Sequence, residues 1–235
     1  MKIESIVDLA ERHIQEWIVT GHFKPGERIK EEDVSQRLGI SRPPVREALK
    51  LLEAIGLVQR RPRRGVFVPE MTAKDMWEVY TLKATLYEMA TDLAMHVVNQ
   101  KQIQDLETCV TKMEVCINED PVDLLRYQAV HKNFHKMIMT IAGNNRLARF
   151  AANLHNQVTP FSYKSLQDRE HLHSSVRFHK EIIAAMKRRD TSQACRLMKE
   201  HVLNALEVLE VMFGDAPGEP SGAGFPPYVP GKVGK

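Results

Sequence analysis

The chain has 235 residues, 43% hydrophobic and 27% charged, with a formal net charge of +3. This is globular composition, enough for one large core or two small ones, and it excludes a uniformly basic nucleic-acid coat, so any nucleic-acid contact must sit in a local patch. No apolar run approaches the ~20 residues that span a bilayer, the opening MKIESIVDLAERHIQEW is amphipathic rather than a signal peptide, and three cysteines without a CxxC pair (Cys109, Cys116, Cys195) point to a reducing cytoplasm.

In chain order, Ile6, Leu9, Ile14, Trp17 and Ile18 recur at helical spacing, with Gly21 at the C-terminal cap. Pro25-Gly26 predicts a turn, and Arg28-Ile29-Lys30 a short strand. A second helix is expected over 31–38, ending at Gly39. Ser41 offers an N-cap oxygen to a third helix, with Pro43 and Pro44 in its first turn. That helix turns Val45, Leu49, Leu52 and Ile55 inward and Arg42 and Arg46 outward. LVQRRPRRGVFV then reads as two short strands around Arg60, Arg61, Arg63, Arg64 and Gly65. Helix, glycine turn, arginine-headed helix and basic hairpin, in that order, make a winged helix-turn-helix. Arginines at the head of such a helix can read guanine edges, and arginines on the hairpin suit phosphates or a narrow minor groove. Lys50 suits a phosphate contact or plain solvation.

Residues 71–213 are helix-patterned, with breaks expected at 118–121, 142–145, 159–160 and 188–190. The expected architecture is mainly α: a winged helix-turn-helix over 1–69, an all-α bundle over 70–213, and a tail over 214–235. That tail holds six of the 12 glycines and five of the 12 prolines, too little apolar surface to offset its ordering entropy, and is read as disordered.

GHFKPGERIKEEDVSQRLGISRPPVREALKLLEAIGLVQRRPRRGVFV resembles the DNA-binding domain of the GntR family of bacterial transcription regulators over essentially its whole length. The resemblance implies that Ser41, Arg42, Pro43 and Arg46 on the recognition helix, and Arg63, Arg64 and Gly65 at the wing tip, contact operator DNA. The family also offers a basic residue near the start of the second helix. Here that stretch is Glu31-Glu32-Asp33, and the contact does not carry over.

The sequence HKNFH places His131 and His135 one turn apart on one helix face, where two imidazoles can share an ion or simply be two side chains on a half-wet surface. FHKMIMTIAGNNRL, RFHKEIIAAMKRRD and ACRLMKEHV make residues 72–213 similar to the FadR-type subfamily, whose helical effector domain is called FCD. Many members bind a metal through an aspartate, a histidine four residues later, and two histidines on later helices. Those positions are His131, His135, His179 and His201 here, with histidine in place of the aspartate. All-imidazole ligation suits Zn²⁺, Ni²⁺ or Cu²⁺, and Zn or Ni is the expected cofactor. The other histidines, among them His155 and His171, are read as solvated or capping.

Where the family has an arginine and a glutamate, this chain has Lys83 and Tyr87. Lys83, with Arg126 and Asn204 on neighbouring helices, is a candidate contact for an anionic effector. A flexible ammonium nonetheless does not reproduce a bidentate guanidinium clamp. The expectation is a ligand-responsive regulator, a homodimer on a short palindromic operator, acting as a repressor released by a small carboxylate bound at or near the metal. Three rivals stay open: a metal-independent regulator, a direct metal sensor, and a constitutive architectural DNA binder. A metalloenzyme reading fares worse, because Lys132 stands where HExxH chemistry needs its glutamate.

Overall fold

Ser5 starts the first helix. Its hydroxyl accepts from the Asp8 N–H while the Asp8 carboxylate accepts from the Ser5 N–H, satisfying two donors that a helix start otherwise leaves open. In the computed structural model, which describes residues 5–214, this helix is α1 (Ile6–Val19). Strand β1 (Arg28–Ile29), α2 (Glu31–Leu38), α3 (Arg42–Ala54), β2 (Gln59–Arg61) and β3 (Gly65–Phe67) follow. The strands form an antiparallel sheet in the order β1-β3-β2, with Ile29 and Arg60 both opposite Val66. Helices and sheet close over one core that includes Ile14, Ile18, Val34, Val45, Leu49, Leu52 and Val66. Ile55 lies only partly inside, and Ile6, in the first turn of α1, is 57% exposed.

One expectation about α3 fails. Ser41 is its N-cap residue, yet its hydroxyl makes no capping hydrogen bond. A capping oxygen accepts from the second or third N–H of the helix. Those positions are Pro43 and Pro44, which have none.

The second core is all helical: α4 (Ala73–Val97), α5 (Gln100–Ile117), α6 (Leu124–Ile141), α7 (Asn145–Ser165), α8 (Arg169–Lys187) and α9 (Thr191–Gly214). The 25-residue α4 runs along α9, α8 packs on α9 and α5, and α6 lies between α5 and α7. Cys109 and Cys116 are buried packing residues. The expected breaks at 118–121, 142–145 and 188–190 are present. Two further breaks are capped by Asn99 and Asp168, whose side chains accept from Gln102 N and His171 N.

The expected break at 159–160 does not occur. Pro160 lies inside α7, where it cannot donate to the Asn156 carbonyl one turn back. That carbonyl instead faces Gly56, at the end of the recognition helix. The same region joins the two cores. Asn156 Nδ2 donates to Ala54 O at 3.4 Å and Gln167 Nε2 to Val19 O at 3.0 Å. Tyr163, also on α7, is buried in the N-terminal core, and its hydroxyl accepts from Gln15 at 2.7 Å. The disorder expected for the tail concerns residues outside those described, apart from Gly214, which ends α9. Among the described residues no helix is long and apolar enough to cross a membrane.

Candidate DNA-reading face and candidate metal centre

The proline-locked start of α3 leaves Ser41, Arg42, Pro43 and Arg46 exposed along one side, with Lys50 one turn further on. The free Ser41 hydroxyl is available there for an outside partner. At the wing tip Arg63 (φ 61°) and Gly65 (φ 103°) turn the chain in left-handed conformations, and Arg63 and Arg64 are exposed. The other two hairpin arginines are engaged within the fold. Arg60 pairs with Glu53 at 3.3 Å, while Arg61 stacks on Phe67 at 4.6 Å and reaches Glu70 at 3.5 Å. Arg42 and Arg46 also have carboxylate partners, Glu32 at 2.6 Å and Glu31 at 2.9 Å.

In the bundle, α6, α8 and α9 bring His131, His135, His179 and His201 together. Their candidate ligand atoms all lie within 4.8 Å of one another. The Nε2 atoms of His131, His135 and His201 form a triangle with sides of 3.3, 3.2 and 3.3 Å, and His179 Nε2 is 3.3 Å from that of His135. Four nitrogens held tetrahedrally at the Zn–N distance of about 2.05 Å would be about 3.3 Å apart. His179 Nδ1–H donates to Ser175 O at 2.6 Å, which leaves its Nε2 lone pair facing the others. Neutral imidazoles packed this way cannot all be satisfied by N–H···N bonds, because each can offer only one hydrogen. A cation at the centre accepts every lone pair at once, so the residues present fit a divalent ion.

Electrostatics agrees. Burial, aided by the neighbouring histidines, holds His131, His135 and His201 well below the usual imidazole value, and burial brings His179 down to about 4. All four are therefore neutral imidazoles at pH 7. No aspartate or glutamate figures among the charges acting on them, whereas Lys83 acts on three.

His135 also lines a cavity of about 880 Å³ between α6 and α7. Tyr87, Met139, Ala151 and His155 supply inner walls, and Lys132, Lys136 and Arg149 bring positive charge without a lining carboxylate. Ile55 and Asn156 carry the wall to the end of the recognition helix. Lys83 is buried behind this wall, its Nζ 5.0 Å from the Tyr80 ring centre and 5.4 Å from that of Tyr87, and burial lowers its pKa to about 8.

The other two candidate effector contacts are not part of the cavity wall. Arg126 pairs with Glu119 at 2.8 Å on an exposed edge, and Asn204 bonds to Ser174 and Glu207. His155 and His171, expected to be solvated or capping, are instead 8% and 5% exposed. Both His155 ring nitrogens lack a protein partner, and burial pushes its pKa down to about 3. The signal was in the spacing: His155 follows Ala151 by four residues and precedes Val158 by three, on the apolar stripe of α7.

The sequence profile "Bacterial regulatory proteins, gntR family" matches residues 7–68, and the "FCD domain" profile matches residues 78–204. The chain belongs to the GntR family and carries an FCD domain. It is a GntR-type transcriptional regulator with an FCD effector domain. It is similar to an uncharacterised HTH-type transcriptional regulator, YdhC of Bacillus subtilis, at 27% identity, covering 81% of this chain and 83% of that one. It is also similar to the HTH-type transcriptional repressor GlaR of Escherichia coli, at 23% identity over 85% and 93% of the two chains. Among solved structures, E. coli McbR/YncC shares the fold with a TM-score of 0.69 at 20% identity, covering 89% of this chain and 99% of that one.

Proposed function

We propose that this GntR regulator is a repressor that reads DNA with residues 1–69 and is released by a small organic anion bound beside a metal ion in residues 70–213. Four imidazoles clustered with their candidate ligand atoms within 4.8 Å of one another, next to a cation-lined cavity with no carboxylate, carry this reading. His131, His135, His179 and His201 would hold the ion. An all-imidazole set suits Zn²⁺ or Ni²⁺. When bound, the ion supplies a fixed double positive charge that attracts anions. Lys83 adds to that charge from behind Tyr87, while Lys132, Lys136 and Arg149 draw an anion into the cavity and His155 offers it a hydrogen-bond partner. A bound anion would press on Ile55 and Asn156, and so on the helix bearing Ser41, Arg42, Pro43 and Arg46. Arg63, Arg64 and Gly65 would meet the adjoining groove or backbone.

The repressor direction follows the relative GlaR, whose printed name is that of a repressor. A homodimer supplies the second half-site reader that a short palindrome needs. Exposed Leu82 and Met89, seven residues apart on α4, are surfaces a second copy could cover. The test is operator affinity measured on a selected duplex, first with Zn²⁺ alone, then with Zn²⁺ and a panel of small carboxylates. Release only when a carboxylate is present supports the proposal. Release by Zn²⁺ alone favours a metal sensor, and a carboxylate response that survives in His135→Ala favours a metal-independent regulator.

A further inference from the structure

Glu31 and Glu32 open α2 beside the two arginines that head α3, and they hold them differently. Arg46 donates through Nε to both Glu31 oxygens at 3.2 Å and through Nη2 at 2.9 Å, so its side-on edge is filled and its end-on N–H groups stay free. Glu31 is sheltered, at 25% side-chain exposure, and the Arg46 bond lowers its carboxyl pKa. The Arg42–Glu32 pair is open, with the two side chains 56% and 58% exposed and Arg42 Nη2 2.6 Å from Glu32 Oε1. Such an exposed pair contributes little to stability and exchanges readily for a better partner.

We infer that Glu32 is a specificity-determining residue: it holds Arg42 until a matching base competes for the guanidinium, and thereby suppresses binding to non-matching DNA more than binding to the operator. This rests on the DNA-reading face proposed above. Non-specific binding is driven by phosphate charge. A carboxylate on that face repels phosphates, and it also occupies the arginine that would otherwise neutralise one. On a matching site the cost is offset by bidentate hydrogen bonds from Arg42 to a base edge, for which a lone phosphate contact is a poorer exchange. The exposed position of Glu32 lets it act on binding without a share in the core.

The experiment uses the full chain. A randomised duplex pool is selected with the wild-type protein, and the selected duplex and a scrambled duplex of equal composition are titrated with wild type, Glu32→Gln and Glu32→Asp at several salt concentrations. Glu32→Gln should tighten binding to the scrambled duplex about five- to tenfold and to the selected duplex by less than about twofold, and steepen the salt slope on the scrambled duplex by about one. Glu32→Asp should keep most of the wild-type discrimination. Equal changes on both duplexes, or none on either, would overturn the role of Glu32. Enrichment of no sequence by the wild type would overturn the DNA-reading face, and this inference with it.

Discussion

Gly56 sits where the end of the recognition helix meets α7, and its replacement by alanine measures how tightly the two cores are joined. Its φ is +77°, and an added Cβ would lie 2.1 Å from the Asn156 carbonyl oxygen, 2.6 Å from the carbonyl carbon and 3.0 Å from Asn156 Cβ. Two of those atoms are helix backbone and cannot turn aside. Gly21 provides the control, with the same φ of +77° and nothing within 4 Å. Left-handed strain of ~1–2 kcal/mol applies to alanine at either site. The forced approach should add about 1–3 kcal/mol at Gly56 alone. Urea unfolding of Gly21→Ala and Gly56→Ala isolates the difference, provided the m value is unchanged. Gly56→Ala should also blunt the effect of a bound carboxylate on DNA binding, because the cavity wall at Asn156 and Ile55 would no longer bear on α3 as it does in the wild type. Equal losses of stability in the two variants would refute the close contact, and with it this route from cavity to recognition helix.

Arg46→Ala should cost ~1–3 kcal/mol on a selected operator and relax preference at one base pair, read by fluorescence anisotropy over single-base variants. A loss equal on operator and scrambled DNA would make Arg46 a phosphate contact. The metal-free protein should lose stability as pH falls from about 6.5 toward 4, because the buried histidines bind protons only when unfolded. His179, whose pKa drops from 6.5 to about 4, would alone account for on the order of 3 kcal/mol, and thermal melts in chelator that stay flat over this window would contradict its neutral burial. Tyr163→Phe should cost on the order of 1 kcal/mol by leaving the Gln15 amide without its inter-core partner, an effect absent in a Gln15→Ala background.

Much of the N-terminal fold was legible because its punctuation is local. Gly39, Pro43-Pro44 and the arginine hairpin each act within a few residues of themselves. The idle Ser41 hydroxyl was missed, although prolines at the second and third helical positions remove the donors it would need. Pro160 misled for the opposite reason. The Asn156 carbonyl, to which Pro160 cannot donate, lies against a glycine a hundred residues earlier in the chain, and no local pattern reports that contact. The spacing of His131 and His135 pointed to a shared face, whereas bringing in His179 and His201 required the family pattern and the helix packing. His155 was dismissed for lacking a histidine partner in sequence, although its place on the apolar stripe of α7 marked it as buried. Arg126 illustrates the converse: proximity along α6 does not decide direction, and Glu119 draws it away from the cavity.

Metal content tests the site most directly. Untagged protein purified without added metal should carry about one Zn or Ni per chain by plasma mass spectrometry, and His135→Ala, which removes the nitrogen shared by three of the four short contacts among the imidazoles, should carry none. Wild-type protein that holds no metal and takes up none on dialysis against Zn²⁺ would contradict the metal centre and reduce the four histidines to cavity lining.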